Sequence, residues 1–334
     1  MIKKNNNLLP SISVVIVHRN SSSTILLTLE GLKKQTYPIK EIIIVDNNST
    51  DDSLSKISNF SKVNSDLNIK ILLKTTNTGV SNSYNMGVRA AKYDNVIIMQ
   101  ADGVLPSKQE ISVIMAPVLE DSSTVASTPI TLMPKYVWNK YNFWEKCMFC
   151  GTVDRDALGF NGKFDYVNKK LYFKAGGFDE KNFYAGVGGE DADLTMRLKK
   201  IGQLAYTKAR VVHLHYLGEN YSMMNWILNR KLYARSYGKI IGMHKQSLPF
   251  DVLAIAIKPI LVFSSFITFL FPYNFLAMIV FSFWYMRKMY TDKVSLLNPK
   301  IILLPFISIF LLYYESYWMI EGYFLPKRIW KGTL

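Results

Sequence analysis

Short runs of β-branched residues recur along the first part of the chain, and a stretch with helical periodicity follows each of them. Residues 12 to 17 (Ile-Ser-Val-Val-Ile-Val), 42 to 45 (Ile-Ile-Ile-Val), 69 to 73 and 96 to 99 have the form of strands buried on both faces. Ile25, Leu29 and Leu32 repeat at i, i+4, i+7, as do Tyr84, Val88 and Ala91, and Ile111, Ile114, Met115 and Val118 precede a further strand near 124 to 130. This alternation restricts the chain to an α/β architecture, a doubly wound and mainly parallel sheet. Ligands of such sheets bind beyond the carboxyl ends of the strands, so the residues that end each strand are the candidates for chemistry.

The first and second strand ends read Val17-His18-Arg19-Asn20 and Asp46-Asn47-Asn48-Ser49-Thr50-Asp51. The second is equally a turn with a helix N-cap and a binding loop. The fourth ends in Gln100-Ala101-Asp102-Gly103, which puts one carboxylate at the sheet edge, where a hard cation bridging diphosphate oxygens would need it. Further on, Gly188-Gly189-Glu190-Asp191-Ala192-Asp193-Leu194 opens a helix with apolar residues at Leu194, Leu198 and Ile201. Acids at a helix start are favoured by capping and by the macrodipole. The preceding glycines add a tight bend that would expose this first turn to a ligand. Val211-Val212-His213-Leu214-His215 reads as a strand with both imidazoles on one face.

Lys+Arg number 40 against 25 Asp+Glu, a formal charge of +15 that calls for an anionic partner. No zinc spacing, helix-turn-helix cue or RNP-like strand accompanies the basic residues, so nucleic acid is not the expected one. They crowd a hydrophobic tail, where Val252 to Phe271, Tyr273 to Met286 and Ile301 to Ile320 are apolar. The first two runs fit a membrane hairpin with both ends cytoplasmic, since Lys239 and Lys245 precede it and Arg287-Lys288 follow. The third, with Pro305 and Glu315, is expected to lie in the interface or re-enter. Pro10 and polar residues interrupt the basic N-terminus, so no signal peptide is expected. Cys147 and Cys150 have no partners for a zinc site and read as inert thiols. The aromatic stretch from 133 to 165 looks loop-like, its rings either packing under a long loop or covering an acceptor or touching a membrane interface.

Taken in order, Val-Val-Ile-Val at 14 to 17, Val45-Asp46-Asn47-Asn48-Ser49-Thr50-Asp51, Asn77-Thr78-Gly79 with Asn85 and Gly87, and Asp102 before Pro106 form one series. Gly177-Phe178-Asp179-Glu180, Glu190-Asp191-x-Asp193-Leu194-x-x-Arg197, His213 and Arg230-x-x-x-x-Ala-Arg235 continue it. The series resembles the family-2 glycosyltransferases, of a rhamnosyltransferase-like bacterial or archaeal type, over residues 11 to 240. The resemblance implies a GT-A fold, an inverting mechanism and a divalent metal, Mg or Mn. Carried over by position, Asp46 would hold the nucleobase, Asp102 the metal, His213 would be a further metal or diphosphate ligand, and Asp191 would be the general base with Glu190 beside it. Val17, Asn20, Asn48, Asn77, Gly79 and Asn85 would join Asp46 and Asp102 in binding the nucleotide sugar. Asp46, Asp102, Asp191 and His213 are expected to converge on one pocket of a single doubly wound domain over residues 11 to about 215.

Three departures from the family pattern stand out. Gln100 replaces a common Asp or Asn, His18-Arg19 replace Thr-Tyr, and Ala185-Gly186-Val187-Gly188-Gly189 lengthens the approach to Glu190. The chain thus reads as a catalytic domain over 11–240 and a helical membrane-anchoring region over 250–325. A hexosyl or deoxyhexosyl group would pass to a lipid-linked or glycan acceptor in cell-surface polysaccharide synthesis, with the catalytic domain on the cytoplasmic side of a prokaryotic plasma membrane. The Gln-x-x-Arg-Trp element of processive synthases is absent from 220 to 240. The competing reading is a non-catalytic membrane protein that binds nucleotide sugar or lipid.

Overall fold

The computed structural model describes residues 9–153, 156–183, 188–214, 220–245 and 250–324. In chain order, β1 (Ile12–His18), α1 (Ile25–Lys33), β2 (Ile39–Asp46), α2 (Ser53–Val63), β3 (Ile69–Leu73), α3 (Gly79–Ala90) and β4 (Asn95–Gln100) come first. After them run β5 (Gly103–Val104), α4 (Glu110–Glu120), β6 (Thr124–Leu132), α5 (Lys135–Trp138), α6 (Phe143–Phe149), β7 (Ala157–Leu158) and β8 (Phe164–Asn168). The rest is α7 (Lys169–Lys174), α8 (Glu190–Lys199), β9 (Gln203–His213) and then only helices. These are α9 (Met223–Met243), α10 (Phe250–Ser264), α11 (Phe271–Tyr285), α12 (Arg287–Thr291), α13 (Lys293–Leu296), a 3-10 turn at Pro299–Leu303 and α14 (Leu304–Phe324).

Two compact units result. The first takes residues 1–132, 156–180 and 197–215, and the second 133–155, 181–196 and 216–334, so the boundary falls inside α8. The sequence reading places its boundary between 240 and 250. The compact units divide the chain differently because α9 packs along α14.

The first unit is built on one sheet in the order β3-β2-β1-β4-β8-β6-β9-β5, with β7 on β6. β3, β2, β1 and β4 run parallel, whereas β8 pairs antiparallel with both β4 and β6, and β6 pairs parallel with β9. The α/β, doubly wound expectation holds for the parallel half, and the whole sheet is mixed. Val14, Ile16, Ile42, Ile44, Ile97 and Met99 pack with Ile25, Leu29, Leu32, Ile111 and Ile114 in one core. Each such side chain contributes about 1.5–3 kcal/mol on burial. α3 lies so close to β1 that a Cβ on Gly87 would sit 2.3 Å from Val15 Cγ1. Register then fixes the functional edge: His18 pairs with Asp46, and Val17 with Gln100.

In the second unit the aromatic stretch is not a plain loop. Asn142 accepts from the Trp144 and Glu145 amides while Glu145 accepts from the Asn142 amide, and this capping box starts α6. Trp138, Phe143 and Phe149 are buried, and Tyr136 is exposed. Cys147 and Cys150 are buried and form no disulfide, and burial pushes the Cys147 thiol up. The tail corrects the hairpin. α10 ends at Ser264, where the Ser264 and Ser265 hydroxyls donate to the carbonyls of Leu261 and Val262. Val252 to Phe271 is therefore not one helix. α10 and α11 have 15 residues each, about 22 Å against the roughly 30 Å of a bilayer core. Among the described residues the one helical stretch long and apolar enough to cross is Pro299–Phe324, 26 residues with an 18-residue window of mean hydropathy 1.5, one third of that window buried. Pro305 stands near the start of α14, where a missing amide costs little.

Candidate active site

In the first unit the carboxyl ends of β1 and β2 are tied together before any ligand arrives. Asn20 and Asn48 take left-handed backbone angles, φ 52° and 62°, which Asn tolerates better than most residues. The Asn20 amide donates to Ser49 Oγ at 2.9 Å, and the Thr50 amide donates to Asn20 Oδ1 at 2.8 Å. Asp46 lies beneath this tie and is 2 % exposed. Its carboxylate accepts from the Ser49 amide at 3.2 Å and faces His18 Nε2 at 3.3 Å. Asn77 Oδ1 accepts from Asn47 Nδ2 and from the Gly79 amide, while Asn47 Oδ1 accepts from the Thr78 amide. Gly79 holds φ 84° at the start of α3. Val17, Asn20, Asp46, Asn48, Asn77 and Gly79 therefore line three adjacent strand ends. Asp46 is covered by its own loop.

Asp102 and His213 come together through strand register. The residue after Asp102, Gly103, pairs with His213 across β5 and β9, and the Leu214 amide donates to the Asp102 carbonyl at 2.9 Å. A Cβ at Gly103 would sit 2.8 Å from the Lys163 carbonyl oxygen, so glycine here lets the segment before β8 pack against this turn. His213 Nε2 is then 3.2 Å from Asp102 Oδ2. Adjacent ligands of an octahedral ion with bonds near 2.1 Å stand about 3.0 Å apart, so the pair has the spacing of two cis ligands. Among the described residues no cluster of three metal-ligating side chains forms. Any ion here would take its remaining ligands from phosphate oxygens and water. Gln100 ends β4 and His215 lies outside the described residues.

The acidic turn begins in the second unit. Gly188 and Gly189 hold φ 85° and 95°, angles that L side chains rarely adopt, and a Cβ on Gly188 would meet Tyr233 of α9 at 2.5 Å. The chain thus turns sharply against α9 into α8; Val187 lies outside the described residues. Of the three acids, Asp193 is fully buried and pairs with His244 at 2.8 Å, which spends its charge inside the protein. Glu190 and Asp191 remain partly exposed. Asp191 Oδ1 accepts from the Ala192 amide at 2.8 Å. Nearby, burial first, and then the charges of Glu190 and Asp191, push the Tyr233 phenol up to about 12.

Residues 13–176 match the sequence model of glycosyl transferase family 2. They are a family-2 glycosyltransferase domain. Among curated relatives, the poly-beta-1,6-N-acetyl-D-glucosamine synthase of Staphylococcus epidermidis is 32% identical over 105 residues, 31% of this chain and 25% of that protein. Glycosyltransferase GlyG of Streptococcus pneumoniae is 32% identical over 94 residues, 28% of this chain and 31% of its own. The chain thus spans about a quarter to a third of the length of these relatives. In structure it is similar to the mannosyltransferase PcManGT of Pyrobaculum calidifontis, solved with GDP-Man and Mn2+, with TM-score 0.53, 17% identity, and coverage of 97% of this chain and 89% of that one. GalNAc-T7 with UDP, GalNAc and Mn2+ gives TM-score 0.51 at 19% identity, over 73% of this chain and 52% of that one. The fold is of the GT-A type that the sequence resemblance implied.

Of the residues that organise the glycosyltransferase domain, Lys74 and Asn82 escaped the sequence reading. Asn85, expected at the nucleotide sugar, is buried and uses its whole amide on the 172–180 segment. Its Nδ2 donates to the Phe178 carbonyl and Glu180, and its Oδ1 accepts from the Tyr172 hydroxyl and the Phe178 amide. Asn85 thus positions the Asp179-Glu180 turn. Lys74 donates to Asn82 and Ser83 next to it, and Asn82 donates to Glu180. His18 carries a testable consequence. Burial draws its pKa below the ordinary value, with Asp46 and then Asp51 opposing. The unfolded chain therefore binds a proton that the folded one refuses, and stability present above about pH 6.5 falls as pH drops toward the lowered value. Thermal midpoints between pH 7.5 and 5.5 should fall, and His18→Asn should flatten that fall; an unchanged slope rejects the assignment.

Proposed function

We propose that the chain transfers a sugar from a nucleoside-diphosphate sugar to an acceptor hydroxyl with inversion, the acceptor being a lipid-linked or cell-surface glycan at a membrane. The Asp102–His213 pair at 3.2 Å carries this reading. Both atoms are oxygen or imidazole donors, suited to Mg or Mn, and they sit at strand ends of an α/β sheet, where phosphates of ligands belong. A divalent ion held there would supply Lewis-acid neutralisation of the charge that builds on the departing diphosphate. Asn20, Asn48 and Thr50 present a preformed polar rim for the nucleoside, with Asp46 setting the loop beneath. Asp191 takes the proton of the acceptor hydroxyl as its oxygen bonds to the anomeric carbon. The bond from that carbon to the diphosphate breaks, and the nucleoside diphosphate leaves with the electron pair. A hexosyl or deoxyhexosyl donor fits this chemistry equally.

The test is release of nucleoside diphosphate by detergent-purified full-length protein across a panel of nucleotide sugars, with Mn, Mg or a chelator. Release should occur with one donor class and stop with chelator. Asp102→Ala should raise the metal needed for half-maximal turnover by more than about tenfold. No release from any donor under any metal would overturn the proposal, and metal-independent release by the Asp102 and His213 variants would remove the Lewis-acid role.

A further inference from the structure

The helical tail of the second unit turns two kinds of surface outward, and together they specify a partner. α10, α11 and α14 meet through Val262, Met278 and Leu312, which are buried. Away from that contact each helix carries an exposed apolar stripe at helical spacing: Ile257, Ile260 and Phe263; Tyr273, Leu276 and Val280; and Phe306, Phe310 and Tyr317. Leu297, at the end of α13, is 85 % exposed as well. So much contiguous helix with outward aromatic and aliphatic side chains is not a surface that water tolerates.

Charge gives the second half. From residue 255 to 324 the acids are Asp292, Glu315 and Glu321, and each is paired within the unit: Asp292 with Lys146, Glu315 with Arg230 and Lys258, Glu321 with Arg235. Lys293 and Lys300 are exposed in the stretch that leads into α14, which also exposes Val294, Leu296 and Leu297. Arg287 lies over the Trp284 ring at 4.8 Å and Lys300 over Trp144 at 5.7 Å. Cations seated on tryptophan rims suit a phospholipid headgroup layer.

The packing also decides the mode of attachment. α14 is long enough to cross, yet α9 lies against it in the same direction, from Arg230 beside Glu315 to Gly242 beside Tyr323. A Cβ on Gly238 would fall 1.9 Å from the Met319 carbonyl oxygen, and one on Gly322 would fall 2.1 Å from that of Arg235. Helices in such close contact move as one. Sending α14 through a bilayer would carry α9 with it, together with Asn225, Asn229, Lys231 and Lys239, at a cost that polar and charged groups seldom meet in hydrocarbon.

We propose that this face is a docking surface for an anionic phospholipid bilayer, on which α10, α11 and α14 lie in the plane of the headgroups without spanning. The proposal rests on the membrane reading above and replaces the spanning hairpin with in-plane attachment.

Two measurements on the full chain test it. In flotation with preformed vesicles, binding should be strong on phosphatidylcholine with phosphatidylglycerol and weak on phosphatidylcholine alone. Lys293→Gln and Lys300→Gln should each weaken binding to the anionic vesicles about fivefold, and Phe306→Ser by at least about tenfold. For topology, Asn225→Cys and Lys245→Cys mark the two ends of α9 against a background of buried Cys147 and Cys150. An impermeant maleimide should label both from the same side of sealed native membranes. Labelling from opposite sides means that the bundle crosses, which ends the in-plane proposal and leaves membrane attachment intact. Equal binding to neutral and anionic vesicles removes the headgroup assignment. No flotation on any vesicle ends both, and self-association in that case assigns the face to a second copy of the chain.

Discussion

Asp191→Asn should lower turnover by about 10² to 10⁴-fold, the usual worth of a positioned general base, and leave donor affinity nearly unchanged. The structure makes this substitution clean. The Ala192 amide donates to Asp191 Oδ1 at 2.8 Å, a bond that the Asn carbonyl oxygen preserves. The Thr195 hydroxyl donates to the main-chain carbonyl of Asp191 at 2.7 Å, which a side-chain change does not touch. Start and direction of α8 therefore survive, and only basicity is lost. Asp193 cannot serve instead, being buried against His244. Glu190→Gln is the control, since a residue that orients the acceptor should mainly raise the acceptor KM. Nucleotide-sugar affinity and kcat measured on both variants decide it. Near-normal turnover of Asp191→Asn with a dead Glu190→Gln would move the base by one residue, and two active variants would reduce the acidic turn to a helix cap.

What the sequence encodes locally was legible, and what depends on distant partners was not. β1, β2, β4 and β6 fall where their β-branched runs stand, because burial on both faces demands such runs; β3 also falls on its run, but as the edge strand it is only half-buried, not covered on both faces as its run suggested. The acidic turn was legible for a similar reason, since two glycines and three acids before an apolar stripe admit few local structures. β8 was missed: Phe164–Asn168 is short, and nothing within it says that it will run antiparallel between β4 and β6. α6 did carry a signal, Asn142 three residues before Glu145, hidden among aromatic residues. The tail misled because an apolar run has no punctuation of its own. Two serines end α10, and the run length alone concealed them. His244 on Asp193 and Asn85 on the 178–180 turn are contacts across long stretches of chain, for which single residues give no warning.

The same tail holds the largest structural liability. Glu315 is 4 % exposed, accepts from Arg230 Nε at 2.5 Å, and also accepts from Lys258 Nζ. One carboxylate on α14 thus compensates a cation from α9 and another from α10. Glu315→Ala would strand both cations in the helical core and should cost about 3–5 kcal/mol, a large share of the roughly 5–15 kcal/mol that holds a typical protein folded. A drop of the thermal midpoint in detergent, with loss of the α9–α14 pairing seen as faster proteolysis of the tail, is the expected result. The companion variant separates burial from attraction. Replacing all three residues, with Arg230→Met, Lys258→Met and Glu315→Leu, removes the stranded charges and fills similar volume, so most of the lost stability should return. If the single variant melts where the native chain does, water reaches the cluster and the three helices are held by their apolar contacts alone. If the triple variant is as unstable as the single one, the ion cluster contributes net attraction beyond the cost of burying it.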